Sequence, residues 1–348
     1  MRRVPLGSAK PAAAVPVLLV VLPGVLLLDL AGIAEPLRVA NECALAAGVT
    51  PPFQLSAVAP GVEQTSSLAL RIAGCAPLPP TLPGDEATPA WVIVVGTASK
   101  APVTAAERDT GRAAVIDWLQ HCVQPALAAG RARLWTVCSG ALTAAAAGLF
   151  DGRQCTTHHE LIDTLRQLRP QAHVLDNRIY VIDGPVASSA GITAGIDLAL
   201  AAIQQHCGDD LAARVARELV VYWRRAGADP QLSPLLEHRN HLHSAVHRVQ
   251  DAVLADPAAD WSLPRLAAQA HVSPRHLRRL FQQHAGINPL RYVQQLRVAL
   301  ARQWLQQGRF TLEQVAERVG FASARQLRAA WKQQADDLPG AWRRSAKR

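Results

Sequence analysis

Residues 263–283, LPRLAAQAHVSPRHLRRLFQQ, decide how the C-terminal third folds. Pro264 suits the first turn of a helix, where a missing N–H is no loss, and that helix is predicted to run through Ala270. His271-Val272-Ser273 reads as a bend, and Ser273 as the cap of a second helix beginning at Pro274. Leu266, Ala267, Ala270, Val272, Leu277, Leu280 and Phe281 supply the small apolar wedge that two crossed helices need. Arg275, His276, Arg278, Arg279 and Gln282 are left for the other face. The expectation is a helix-turn-helix over about 263–284 with a strongly basic second helix.

The pattern returns over 311–334. Thr311 is expected to cap a helix with Gln314 in the reciprocal box position, Val315 and Ala316 to pack inward, and Val319-Gly320-Phe321 to bend the chain. Ser323 then caps the next helix, with Gln326 three residues on; Leu327 and Trp331 pack, while Arg325, Gln326, Arg328 and Lys332 face outward. Between the units, Leu290, Val293, Leu296, Leu300 and Leu305 predict a long helix over Pro289–Gln306. Such a helix can hold two basic helices at the ~34 Å spacing of successive major grooves. Arginine pairs bidentately with guanine and glutamine with adenine, each discriminating by about 1–3 kcal/mol. Side chains at helix starts and rims more often touch phosphate. Arg275, Arg278, Arg279, Arg325, Gln326 and Arg328 are the candidate base and backbone readers, with His276, Gln282, Lys332, Arg343 and Arg344 as further contacts to duplex DNA.

The charge distribution agrees. Of 348 residues, 1–210 carry 14 Lys/Arg against 17 Asp/Glu, and 211–348 carry 22 against 10. Only one part is built to meet a polyanion, although RNA or a membrane surface would also fit charge alone. With 49% hydrophobic and 18% charged residues, the chain is expected to be folded throughout. The six cysteines form no CxxC pair and all lie outside the basic part, so neither a zinc cluster nor a disulfide framework is expected, and a reducing, cytoplasmic compartment is the simpler reading. Pro16, Pro23 and Gly24 interrupt the apolar run Val15–Leu30, which favours a buried first strand at Val15–Leu22 over a signal peptide or membrane span.

Through about residue 205, short apolar runs alternate with helical stretches. Strands are predicted at Val15–Leu22, Phe53–Ala57, Trp91–Val95, Leu134–Val137 and Ile179–Ile182. Helices are predicted at Ile33–Ala46, Glu107–Ala129, Ala141–Ala147, His159–Leu168 and Thr193–Gly208. This alternation implies a mostly parallel sheet covered on both faces, an α/β three-layer sandwich, followed by an all-α domain. In Leu134–Ala141, a strand runs into a small-residue turn and an alanine-rich helix. Cys138 is thereby expected beneath free helix amides, which lower a thiol pKa and can bind an oxyanion. It is either a nucleophile or a small buried turn residue. His158, His159, Glu160 and Asp183 are the groups that could complete a hydrolytic site, giving a Cys138-dependent amidase or peptidase as the alternative function. A ligand pocket at the strand C-terminal ends, drawing on Asp29, Cys138, Ser139 and His158, is the preferred reading, because open α/β sheets bind there.

A connector helix is predicted over Leu211–Arg225, a hinge over 227–234, and a further helix over His238–Ala255. His238, His241, His243 and His247 on that helix are read as a solvated face, not as a metal site.

Leu28–Gly32, Val137–Ala141, Ala147–Arg153 with Thr156-Thr157-His158, and Ser189–Asp197 resemble the class I glutamine amidotransferase-like superfamily, in the branch of the intracellular protease PfpI. Catalytic relatives follow the elbow cysteine with histidine; here Ser139 follows Cys138, and Val25–Leu28 offer no acidic partner. The resemblance therefore implies a sensory or oligomerising domain. Arg297–Leu305, Val315–Phe321, Gly286–Tyr292 and a degenerate Leu338–Arg344 resemble the AraC/XylS family, which implies base readers on the second helix of each unit; Ala329 stands where that family usually keeps an arginine. Together the halves look like GlxA-type regulators. The organisation expected is an amidotransferase-like domain over 13–208, a connector over 209–238 and a DNA-binding domain over 239–344. That resemblance implies a homodimer, promoter DNA, RNA polymerase and a small-molecule effector as partners, with activation as output, and neither a cofactor nor a metal.

Overall fold

A computed structural model describes residues 13–221, 227, 231, 237–239, 241–306, 310–334, 338–340 and 342. Arg343, Arg344 and all of the predicted hinge except Gly227 and Gln231 lie outside the described residues. The chain divides into two compact units, Met1–Gln231 and Leu232–Arg348.

In the first unit the elements run β1 (Val15–Val20), α1 (Leu27–Ala46), β2 (Phe53–Ala59), β3 (Glu63–Thr65), β4 (Arg71–Ala73), β5 (Ala76–Pro77) and β6 (Ala90–Val94). They continue with α2 (Ala105–Trp118), α3 (Gln124–Ala128), β7 (Ala132–Val137), α4 (Gly140–Ala146), β8 (Gln154–Cys155), α5 (Ile162–Leu168), β9 (His173–Val174), β10 (Tyr180–Asp183), β11 (Val186–Ser189), α6 (Ala194–Cys207) and α7 (Asp209–Glu218). A seven-stranded sheet has the order β10-β11-β7-β6-β1-β2-β5 and is parallel except for the β10–β11 pair. The two-residue side-chain period of a strand divides the core into two layers. Val15, Val17, Leu19 and Val21 join Ile33 and Leu37 of α1 and Leu198 of α6 on one face. Leu18, Val20 and Leu22 join Val115 and Trp118 of α2 and Ala144 of α4 on the other. Burial on both faces explains why these strands read as unbroken apolar runs.

The α/β sandwich is as expected, with corrections in detail. Helix α1 begins at Leu27, not Ile33, which carries Asp29 into its first turn. Its start is hard to read because Leu26 supplies no side-chain cap. The predicted 107–129 helix starts at Ala105, under a Thr104–Glu107 capping box, and passes through a π-turn at Leu119–Val123 just before Pro125, whose missing N–H interrupts the ladder. Strand β11 was not expected, because its buried positions include Ser188 and Ser189. The connector helix stops at Glu218, and Val220 follows in a left-handed conformation, φ +55°.

The second unit is helical: Ser244–Ala255, Leu263–Ala270, Pro274–Ala285, Pro289–Gln306, Leu312–Arg318 and Ala324–Lys332. Val246, Val249 and Val253 pack with Leu266, Leu277, Leu280, Phe281, Tyr292 and Leu296 around the first helix pair. Around the second pair, Val315, Leu327 and Trp331 are buried, and the Arg302 guanidinium lies 5.2 and 5.3 Å from the Trp331 and Trp342 ring centres. The helix expected from His238 begins instead at Ser244. No helix among the described residues is long and apolar enough to cross a membrane.

Candidate functional site

Two side-chain hydroxyls and one glutamine fix where the outward-facing helices of the second unit begin. Ser273 Oγ accepts from His276 N at 3.3 Å, Ser323 Oγ accepts from Gln326 N at 3.3 Å, and Gln326 Oε1 accepts from Ala322 N at 3.2 Å. The preceding helix of the second pair carries the full Thr311–Gln314 box. With their starts set, Pro274–Ala285 and Ala324–Lys332 superimpose residue for residue in sequence: Ser273 with Ser323, Leu277 with Leu327, Phe281 with Trp331. The inward partners are buried in both. Outward, Arg275, Arg278, Arg279 and Gln282 occupy one i, i+3, i+4, i+7 stripe, and Arg325, Arg328, Ala329 and Lys332 occupy the same stripe of the second helix, all exposed. His276 and Gln326 are exposed beside these stripes. Among the described residues, no salt bridge engages any of these five arginines. Two matching cationic ridges with unneutralised guanidinium groups suit phosphate and base edges. Gln326 differs from the expectation in one respect, since its carbonyl oxygen is already committed to the Ala322 N–H.

In the first unit, the strand order reverses between β1 and β6, and the chain beyond their C-terminal ends forms the second site. Cys138 follows β7 with φ +55°, its carbonyl accepting from Thr157 Oγ1 at 2.8 Å. Asp29 Oδ1 accepts from Ile192 N at 2.6 Å. A side chain at Gly96 would run into Asp29 Oδ2, Cys138 Cβ and Ser139 Oγ, so these three groups converge there. On the opposite flank, the space beside Gly191 is filled by the thiol, 2.8 Å from where a Cβ would stand. Ser139 is held by Thr97, donating to its carbonyl at 3.1 Å and accepting from its N–H at 2.8 Å.

This geometry overturns the reading of Cys138 as a thiol acidified by helix amides. Cys138 is only 6% exposed, and burial, followed by the charge of Asp29, pushes its thiol up to about 12; the Ser139 amide opposes this but is outweighed. The acidic partner absent from Val25–Leu28 is Asp29, one residue further on. His158 is not drawn in: its Nδ1 accepts from Glu160 N at 3.4 Å and its ring centre lies 4.3 Å from that of His159, tilted by 35°, and among the described residues no hydrogen bond joins it to Cys138. Burial lowers the His158 pKa. Asp183 is used at a strand end, accepting from Gln154 N. Leu28 and Ile192, on either side of Asp29, are 52% and 42% exposed and form an apolar rim. A separate open cleft of about 490 Å³ is lined by Pro23, Pro60, Glu63, Thr65, Val103 and Thr110.

Burial holds the Asp29 carboxyl above the usual carboxylate range, against the hydrogen bond from the Ile192 N–H that favours the anion, while Oδ2 is buried with no hydrogen-bond partner among the described residues. A carboxyl whose pKa rises on folding contributes its full stability below its ordinary value, 3.8, and that contribution is lost as pH rises through the raised one. Asp29→Asn, a neutral isostere, is therefore expected to melt above the wild type at pH 8, with the advantage shrinking as pH falls toward 4. A melting difference that does not change with pH would remove Asp29 as the titrating group.

Residues 266–345 match the model of the helix-turn-helix domain, and residues 112–205 that of the DJ-1/PfpI family. The HTH-type transcriptional regulator GlxA of Rhizobium meliloti (strain 1021) is 31% identical over 320 residues, 91% of this chain and 92% of that protein. The HTH-type transcriptional regulator CdhR of Pseudomonas aeruginosa is 30% identical over 302 residues, covering 87% and 83%. A shorter similarity, 41% over 95 residues, joins 26% of this chain to 39% of the isonitrile hydratase of Pseudomonas putida. The near full-length matches at this identity place the chain in the family of HTH-type transcriptional regulators that precede an AraC-type helix-turn-helix domain with a DJ-1/PfpI domain, and it is a DNA-binding regulator of transcription.

Proposed function

We propose that the chain acts in the cytoplasm as a homodimeric, effector-responsive activator. Arg275, Arg278, Arg279 and Gln282 enter one major groove of promoter DNA, Arg325, Arg328 and Lys332 the next, and His276, Gln326, Arg343 and Arg344 contact the backbone. The observation that carries this reading is the pair of exposed, register-matched basic stripes on two capped helices. The first unit, over 13–208, binds a small molecule and pairs two copies, and the domain over 239–344 occupies the promoter and recruits RNA polymerase. Asp29, Cys138 and Ser139 lie at the topological switch of the sheet, where open α/β sheets receive ligands, and a buried carboxyl above its usual range is a group retained at a stability cost. His158 stands beside this site as its fourth candidate.

Selection of genomic fragments by the purified chain, followed by footprinting, tests the reading: one fragment set is expected, protected at two positions one helical turn apart. No enrichment over random duplex would overturn it. The rival is a Cys138-dependent amidase or peptidase, given weight by the partial similarity to an isonitrile hydratase. Cys138→Ala separates the two. A fusion-reporter response retained in that variant, with no turnover of amide or isonitrile substrates by the wild type, is expected; turnover lost with the thiol would favour the enzyme.

A further inference from the structure

Of the histidines read as a solvated helical face, His238, His241 and His243 precede the helix that starts at Ser244, and His247 lies on it. The stretch Glu237–His243 instead lays its rings against the two helices that follow. The His241 ring centre is 4.4 Å from that of His247 and 6.3 Å from that of His284, and His243 is 4.4 Å from His284. His284 closes the last turn of Pro274–Ala285, the first DNA-reading helix. The same stretch is tied to that helix by His238, whose Nδ1 meets the Ala285 carbonyl at 3.0 Å, and to Ser244–Ala255 by Gln250 Nε2 donating to the His238 carbonyl at 2.7 Å.

We propose that His241, His243, His247 and His284 form a proton-responsive lock that holds the entry of the second unit against the end of the first DNA-reading helix and loosens as pH falls below about 6.5. This goes beyond regulation by a small-molecule effector and does not depend on it.

Hydrogen-bond roles carry the proposal. His247 Nε2 faces the His241 carbonyl at 2.6 Å; a carbonyl only accepts, so this nitrogen bears the proton. Its Nδ1 is then a lone pair, and Arg239 Nη2 stands 3.5 Å away as donor. His241 Nδ1 likewise accepts from the His243 N–H at 3.3 Å. A proton added at either Nδ1 sets donor against donor. His241 Nε2 and His243 Nδ1 are buried and, among the described residues, have no hydrogen-bond partner. The groups facing the cluster are mostly cationic. Arg239 comes from the entry stretch, Arg248 from Ser244–Ala255 and His276 from Pro274–Ala285. Of the acids, Asp251 is taken by Arg239 at 2.5 Å and Glu237 lies 3.7 Å from His238; the Tyr292 hydroxyl on Pro289–Gln306 is neutral, its pKa pushed up to about 12. Burial first, then the neighbouring rings, lower the pKa values of His241 and His243 below 6.5. Groups lowered on folding contribute full stability above 6.5 and lose it as pH falls, because the opened chain takes up the proton first.

Hydrogen exchange of the full chain at about pH 7.5 and pH 5.5, corrected for intrinsic rates, reads this locally. Protection over 238–247 and 280–285 is expected to fall at least about tenfold at the lower pH, while 312–331 is unchanged. The double variant His241→Asn/His247→Asn keeps an acceptor where each Nδ1 stood and removes His241, whose pKa burial lowers, so its protection should fall clearly less than that of the wild type between the two pH values. Equal protection of the wild type at both pH values, or an equal loss in the variant, overturns the proposal. If the variant does not fold, side-chain NMR titration of the wild type decides: midpoints of 6.5 or above for His241 and His243 reject the lock. Stoichiometric Zn²⁺ binding at pH 7.5 that the double variant loses would make the cluster a metal site and also reject it.

Discussion

Replacing Arg278 and Arg279 together by alanine is expected to weaken binding to a selected operator by about 10²–10³-fold, at about 1–3 kcal/mol for each bidentate base contact. The matching change on the second helix can remove only Arg328, because Ala329 already occupies the position equivalent to Arg279. Arg325→Ala/Arg328→Ala is therefore expected to cost roughly tenfold less on the operator. Both helices are capped, exposed and backed by buried aromatic residues, so neither pair of substitutions should unfold the unit. Anisotropy titrations on operator and scrambled duplex at two salt concentrations separate base reading from phosphate contact. Loss of a base reader collapses the ratio between the two duplexes, whereas loss of a phosphate contact weakens both alike and reduces the salt slope by about one per contact. An equal loss on both duplexes for Arg278 and Arg279 would falsify their role as readers. A larger operator loss from the second helix would invert the proposed division of labour.

The two capped helix pairs were legible in the sequence because the signals that set them are local. The Ser273, Thr311 and Ser323 caps bond to amides three residues away, and the apolar wedges follow helical spacing. Strand alternation was equally local, and so the sandwich emerged from five apolar runs. The elements that did not emerge lack such signals: β11 is buried through serines, and α1 begins without a cap.

The Cys138 site was only half legible, for a different reason. The strand-turn-helix motif marks the cysteine, but the sign of its pKa shift is set by burial and by Asp29, which the α1 start and a 163-residue contact to Ile192 bring into place. Local helix amides and tertiary burial push the thiol in opposite directions, and burial wins. The histidines before Ser244 show the same limit. One helical spacing carried through to Ala255 assigned their rings to solvent, whereas His241 and His243 lie before the helix and pack with His247 and His284.

Gly320→Ala should destabilise the second helix-turn-helix by about 2–5 kcal/mol, far more than the same change at Gly286. Both glycines turn a chain out of a helix with positive φ, +88° at Gly320 and +66° at Gly286, so an alanine pays about 1–2 kcal/mol of backbone strain at either. The surroundings differ. Around Gly286 nothing lies within 4 Å of a new Cβ, but at Gly320 it would stand 2.7 Å from Arg297 Nη2 and 2.8 Å from Ala258 Cα. Arg297 is not a yielding neighbour: its Nε donates to the Pro257 carbonyl at 2.8 Å and its Nη2 to the Ala259 carbonyl at 2.7 Å, with the guanidinium over the Phe321 ring. Relief requires breaking those bonds or shifting the backbone before Trp261, and overpacking of this kind costs about a further 1–3 kcal/mol. Since Gly320 sits three residues before the Ser323 cap, the strain falls on the turn that aims Ala324–Lys332. Hydrogen exchange should show lost protection over 312–331 in Gly320→Ala, with 274–285 intact, and the reverse pattern, weaker, in Gly286→Ala. Equal losses at the two glycines would leave conformational strain as the whole effect and remove Arg297 as the buttress of the second turn.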